Sequence, residues 1–219
     1  MATAKKTKTS NIITLYMETA LENEKFPLSV YKFCKTNGIE ESDFYKTYAS
    51  LDSVKLHIWQ VFFENTMDLI RKNKRFDDFS RKDRLLTFYF TFFEVLQLNR
   101  SYVFFALSPV GSPMSVMRQL KKLKSSFKDF SSDLIEEGND DKTLNTTKHP
   151  VALFSEAAWA QLLFLLKFWL DDTSQGSERT DEAIEKSVTV AFDVFDNTQL
   201  ERILDFGKFL WKEKLNKAY

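Results

Sequence analysis

The stretch from Ser29 to Val54 leaves the backbone few choices. Ser29 stands where its hydroxyl can accept from the free N–H groups of an opening helical turn. Val30, Phe33 and Cys34 then fall on one face at i, i+3, i+4 spacing. Asn37-Gly38 ends that helix, because glycine enters the left-handed region without a Cβ penalty. Ile39, Phe44, Tyr45 and Tyr48 supply the apolar side of a second short helix, and a third begins near Leu51. Two short helices hinged on a glycine and followed at once by a longer one outline a helix-turn-helix.

The rest of the chain extends the helical reading. Only 5 Gly and 4 Pro interrupt 219 residues, and long apolar-periodic stretches dominate, which predicts an all-α protein. A first helix is expected from Ser10 to Glu22, on the stripe Ile12, Ile13, Tyr16, Met17 and Ala20. A long helix should run from Leu51 to Arg71, followed by a charged linker over 73–80 and an aromatic-rich helix from Arg81 to Leu98. A short helix over 99–107 meets the turn signal Ser108-Pro109-Val110-Gly111-Ser112-Pro113. The pattern resumes as one helix from Met114 to Glu137, then gives way to a polar loop over 138–149. Helices over 150–171, 180–195 and 198–215 complete the chain.

Basic and acidic side chains balance at 31 each, so no net charge draws the chain toward nucleic acid or membrane. A single Cys and no leading signal segment point to a reducing cytoplasm. Val151–Leu170 is about long enough to span a bilayer, yet Glu156, Gln161 and Lys167 interrupt it, and a buried bundle or dimer helix is the better reading. With two His and one Cys no cluster has metal-ligand composition, and neither a phosphate loop nor a nucleophile elbow occurs. The sequence therefore implies neither an enzyme nor a metal or cofactor. Lys121, Lys122, Lys124 and Lys128 read as a solvated helix face.

Ser29, Val30, Phe33, Cys34, Gly38, Ile39, Phe44, Tyr45, Tyr48, Ser50 and Val54 fall on the N-terminal signature of the TetR family of bacterial regulators, which this chain resembles. Phe168-Trp169-Leu170-Asp171-Asp172, a Ser/Gly loop and Thr180 to Lys186 are similar to the eighth and ninth helices of the family's C-terminal domain. The resemblance implies a three-helix DNA-binding head over 1–50 and a six-helix ligand-binding and dimerisation domain over 51–219. It also implies a homodimer, operator DNA as partner, and an apolar small molecule or lipid as ligand.

On that basis the DNA contacts are assigned to Lys5, Lys6, Lys8, Lys32, Ser42, Lys46 and Thr47. The ligand lining is assigned to Phe88, Phe92, Phe105, Met117, Phe127, Phe164 and Phe168, drawn from the clustered rings among 22 Phe. The dimer surface is assigned to Trp159, Leu162, Leu163, Leu166, Phe192 and Phe195. The departures from the signature are acidic. Glu40, Glu41 and Asp43 occupy the start of the recognition helix, and Leu51 stands where the family has a lysine. Residues 1–55 carry eight lysines against seven carboxylates and no arginine, the commonest reader of guanine. Carboxylates repel the phosphates that such a head must neutralise, so a second reading stays open: a TetR-fold, lipid- or isoprenoid-binding accessory protein that has lost DNA binding.

Overall fold

In the computed structural model, residues 2–107, 113–140 and 148–196 are described, with side chains given for 11–107, 114–140 and 148–194. Ten α-helices and no strand occur among the described residues. They are α1 (Ala2–Glu22), α2 (Val30–Thr36), α3 (Glu41–Tyr45), α4 (Leu51–Ile70) and α5 (Arg81–Gln97), then α6 (Arg100–Leu107), α7 (Pro113–Gln119), α8 (Lys121–Asp140), α9 (Val151–Asp171) and α10 (Glu178–Asp196). The all-α expectation holds. The terminal helix expected over 198–215 and the turn over 108–112 lie outside the described residues.

The chain forms two compact units. The first gathers the described residues of 1–72 and 91–127, the second those of 73–90 and 128–219. The three N-terminal helices thus share a unit with α4, α6 and α7, and the division does not fall at residue 50.

In the first unit, α1 packs on α4 and α6, α2 on α3, and α4 on α7. Ser29 caps α2 as its sequence position suggests, its side chain accepting from Lys32 N–H. Asn37 locks the end of α2 onto α1, its amide Nδ2 donating to Thr19 Oγ1 at 3.1 Å and to the Phe33 carbonyl at 2.8 Å. Gly38 follows at φ +64, the left-handed turn the hinge requires. Ser50 and Ser53 cap α4 reciprocally, each side chain accepting from the other's backbone N–H at 3.2 Å.

The interior of this unit is a run of rings. Tyr48 meets Phe44, Phe44 meets Phe33, Phe33 meets Tyr16, Tyr16 meets Phe26 and Phe26 meets Phe105, at centroid separations from 4.8 to 6.3 Å. Such stacked, edge and tilted ring contacts add about 0.5–1.5 kcal/mol each beyond the area they bury. They tie the head's α2 and α3 through α1 to α6.

Four element expectations need correction. The first helix, expected from Ser10, begins at Ala2. The helix expected from Met114 to Glu137 is broken at Leu120, where the Gln119 amide turns inward, accepting from Trp59 Nε1 at 3.4 Å and donating to the Ala106 carbonyl at 2.8 Å. Residues 138–140, expected as the start of a loop, belong to α8, and most of the rest of that expected loop, 141–147, lies outside the described residues. Asn139 clamps the backbone of His149 with two hydrogen bonds of 2.7 and 3.0 Å. The linker over 73–80 is partly ordered as a 3-10 turn at Phe76–Asp78, with Phe76 buried.

In the second unit α9 packs along α10. An ion pair of Arg84 with Glu137 joins α5 to α8, and Lys128–Glu156 at 2.7 Å joins α8 to α9. By length and composition alone α9 could cross a membrane. It instead buries Trp159, Leu162, Leu165, Leu166 and Trp169 in this bundle.

Candidate functional site

The first candidate surface is α3, the second helix of the helix-turn-helix. Five residues make little more than one turn, and of these Ser42 and Tyr45 are exposed, followed by exposed Lys46 at the C-cap. Tyr45, read from sequence as part of the apolar side, is 54% exposed and belongs to this outward face, while Phe44 is fully buried behind it. Glu41 and Asp43 are only half-exposed, and Asp43 is drawn to Lys46 Nζ at 2.8 Å. Glu40 stays exposed just before the helix. Residues three and four apart share a helix face, so Glu41 lies beside Tyr45 and Asp43 beside Lys46, and part of the acidic charge on this face is balanced by Lys46.

The electrostatics behind this face are those of a packed head. Burial first, then Glu41 and Glu40, push the Cys34 thiol up from its ordinary value, so this buried cysteine stays protonated. Tyr48 Oη lies 2.7 Å from His57 Nδ1, linking the end of the head to α4. Burial raises the Tyr48 phenol, and burial together with Lys122 lowers His57 against an opposing pull from Glu64. A neutral His57 accepting from the Tyr48 hydroxyl satisfies both.

Of the residues assigned to DNA, Lys32, Ser42 and Lys46 are exposed and Thr47 is half-buried. The side chains of Lys5, Lys6 and Lys8 lie outside the described residues. Lys46 does not stand alone, since it is paired with Asp43.

The second candidate is a half-open pocket of about 310 Å³ in the second unit. Its walls come from four helices: Arg81 and Leu85 of α5; Ser131, Leu134 and Ile135 of α8; Phe154, Ala157, Ala158 and Gln161 of α9; and Ser187, Val190, Ala191, Phe192 and Val194 of α10. Small side chains create the space. Ala157, Ala158, Ser187 and Ala191 stand where larger residues would interlock α9 with α10. The neutral polar groups on the wall are satisfied within the protein: Gln161 accepts from Tyr89 Oη at 3.3 Å and donates to Ser187 Oγ at 3.0 Å, Ser187 donates to the Ile184 carbonyl at 3.2 Å, and Ser131 to the Lys128 carbonyl at 3.1 Å. The result is an apolar, partly open pocket with one ionic side chain, Arg81, among the described residues.

None of the six phenylalanines and one methionine assigned to a ligand lines this pocket. Phe88, Phe92 and Phe127 are fully buried as core, and Phe105 packs on Phe26 at 4.8 Å. Met117 and Phe164 are 42% and 54% exposed, with Phe168 half-buried beside Phe164. Large rings pack the bundle, whereas vacancy arises where small residues meet. The legible signal was Ser187 and Ala191 at i, i+4 on α10 facing the Ala157-Ala158 pair of α9.

The residues assigned to a dimer surface need a similar correction. Trp159, Leu162 and Leu166 are buried in the unit's own core, Leu163 is half-buried, and Phe192 lies on the pocket wall. The Phe195 side chain lies outside the described residues. The exposed stripe of α9 is instead Leu153, Ala157, Ala160 and Phe164, at i, i+4, i+7 and i+11, and α10 exposes Val190 and Val194. Among the described residues no group of three His, Cys, Asp or Glu is placed to hold a metal.

An all-helical chain that opens on a helix-turn-helix and continues into a bundle with an apolar pocket has the architecture of a TetR-like transcriptional regulator. A family model described as the tetracyclin repressor-like C-terminal domain matches residues 84–210, more than half of the chain. The chain belongs to the TetR family. Its fold is similar to that of a TetR-family transcriptional regulator from Syntrophomonas wolfei, with a TM-score of 0.67 at 16% identity over 88% of this chain and 97% of the other. The fatty acid degradation regulator FadR from Bacillus halodurans gives 0.56 at 14% identity over 86% and 94%. A TetR-family regulator from Shewanella sp. PV-4 gives 0.55 at 16% identity over 86% and 95%. Among curated proteins none matches the sequence.

Proposed function

We propose that this chain is a homodimeric transcriptional regulator that binds operator DNA through its N-terminal helices and is controlled by an apolar small molecule held in the α5/α8/α9/α10 pocket. The observation that supports the DNA reading is the outward face of α3, where Ser42, Tyr45 and Lys46 are exposed and Asp43 is paired with Lys46. Lys32, Thr47 and the lysines Lys5, Lys6 and Lys8 at the start of α1 complete the proposed contacts with phosphates, which position such a head. The exposed apolar stripes of α9 and α10 are the proposed face for a second copy. Ligand occupancy shifts the population between operator-competent and incompetent states, as any ligand with unequal affinity for two states must.

One observation favours the accessory-protein reading. Lys46 spends its charge on Asp43 and Lys55 on Asp52, so part of the head's positive charge is neutralised internally. Fluorescence anisotropy with upstream-region and random duplexes at about 50 and 200 mM salt separates the two, because phosphate contacts give a steep salt slope. Salt-sensitive binding that prefers one duplex supports the regulator. No binding even at the lower salt overturns it in favour of the accessory protein.

A further inference from the structure

Resting on the DNA reading of the first unit, we propose that its contacts with DNA phosphates extend beyond the helix-turn-helix to a cationic cluster where α7 meets α8, made by Arg118, Lys121 and Lys122. Charge is unevenly divided between the two units. Residues 1–72 and 91–127 hold 15 basic and 10 acidic side chains, a balance of +5, whereas 73–90 and 128–219 hold 16 basic and 21 acidic, a balance of −5. Almost all of the surplus lies outside the head, because 91–127 alone carries Arg100, Arg118, Lys121, Lys122 and Lys124 against Glu94. A positive unit within a chain of zero net charge suits a polyanionic partner.

Three of those cations are presented outward together. Gln119 and Leu120 are buried at the break between α7 and α8, which leaves Arg118, Lys121 and Lys122 exposed on either side of it. Among the described residues no ion pair engages these three, whereas Lys128 is paired with Glu156 and Arg100 lies over the Phe104 ring. The cluster stands beside the first half of α4. There α7 packs on α4, Gln119 accepts from Trp59 Nε1 at 3.4 Å, and the charge of Lys122 is felt at His57, which is hydrogen-bonded to Tyr48 of the head. His57 is six residues, or about 9 Å, along α4 from Leu51. Leu51 is itself buried where the family signature has a lysine, so the cluster returns positive charge to this end of the unit. Glu64, which opposes Lys122 at His57, lies further along α4 from the head. An anionic bilayer is the other extended polyanion, but segments that bind one by charge gather about four to eight cations, and this cluster has fewer.

The test is fluorescence anisotropy of the full-length protein with the preferred and a random duplex at about 50, 100 and 200 mM salt, on the native chain and on the triple variant Arg118→Gln, Lys121→Gln, Lys122→Gln. Each lost phosphate contact flattens the dependence of log affinity on log salt by about 0.9. The triple variant should bind both duplexes at least about tenfold more weakly at the lowest salt, with a flatter slope. It should keep the native ratio between the two duplexes, because phosphate contacts carry no sequence information. A native slope in the triple variant overturns the proposal and leaves the DNA reading standing. Equal flattening in a matched variant of exposed lysines in the second unit, Lys148→Gln, Lys167→Gln, Lys186→Gln, assigns the effect to net charge and also overturns it. Absence of DNA binding by the native chain removes the DNA reading and the proposal with it. Native binding to phosphatidylserine vesicles that the triple variant loses, with its DNA slope unchanged, assigns the cluster to a bilayer instead. Should the triple variant fail to fold by circular dichroism, Lys121→Gln alone is read in the same way, with a slope change of about 0.9 per chain.

Discussion

Asp172 shows how much one side chain can organise. Its carboxylate receives the Ser174 backbone N–H at 2.8 Å and hydroxyl at 2.6 Å, and the Thr180 N–H at 2.9 Å and hydroxyl at 2.7 Å. These four bonds fold the turn that brings α10 back along α9. Burial works to raise this carboxyl, but the hydrogen bonds from Ser174 and Thr180 outweigh it and hold it down at about 2, against an ordinary 3.8. Asp172→Ala strands four donors and should cost about 1–3 kcal/mol, read from the urea midpoint at neutral pH. The group is depressed, so its contribution is complete above 3.8 and fades as pH falls toward 2. The gap between native protein and Asp172→Ala should therefore close in acid. The sequence marks Asp172 only as part of a family-like segment, since its hydrogen-bond partners depend on a turn that local pattern does not specify.

Elements were the most legible level, and the reason lies in their ends. Ser29, Gly38 and Ser50 each determine a boundary by local chemistry, and α2, α3 and α4 start and stop where those residues require. No atom lies within 4 Å of a Cβ built on Gly38, so only the backbone conformation restricts substitution there. Gly38→Ala should lower stability by about 1–2 kcal/mol, and Gly38→Asn by less, since asparagine tolerates the left-handed region better. Equal urea midpoints for all three proteins would contradict this. The break at Leu120 was hidden because it goes with a long-range contact, the Gln119 amide between Trp59 and Ala106. On α9 the sequence is apolar around most of the circumference, so periodicity identified the helix but not which stripe turns inward. Leu162 and Leu166 face the core, whereas Leu153 and Phe164 are exposed.

For the molecule as a whole, aromatic abundance explains cohesion more than recognition. The rings from Tyr48 to Phe105 pack the first unit, and Phe88 meets Phe130 in a tilted contact at 5.0 Å in the second. Reading every dense aromatic cluster as a pocket overlooks the pocket between α5, α8, α9 and α10, because close-packed rings leave little space while alanines and serines leave more. Ala191→Leu should fill part of that pocket. Partial filling of an existing void is tolerated better than insertion into packed core, so the expected result is a folded protein by circular dichroism with an apolar fluorescent probe, N-phenyl-1-naphthylamine, bound about tenfold more weakly. Unchanged probe affinity would place the ligand elsewhere.

Ala157, Val190 and Val194 belong both to the pocket wall and to the exposed apolar stripes of α9 and α10. In the proposed dimer those three positions cannot drift independently. A duplicated gene whose product acquired a taste for a new ligand by substitution at Val190 or Val194 would change its pairing surface in the same step, and so begin to segregate from its parent as a separate homodimer.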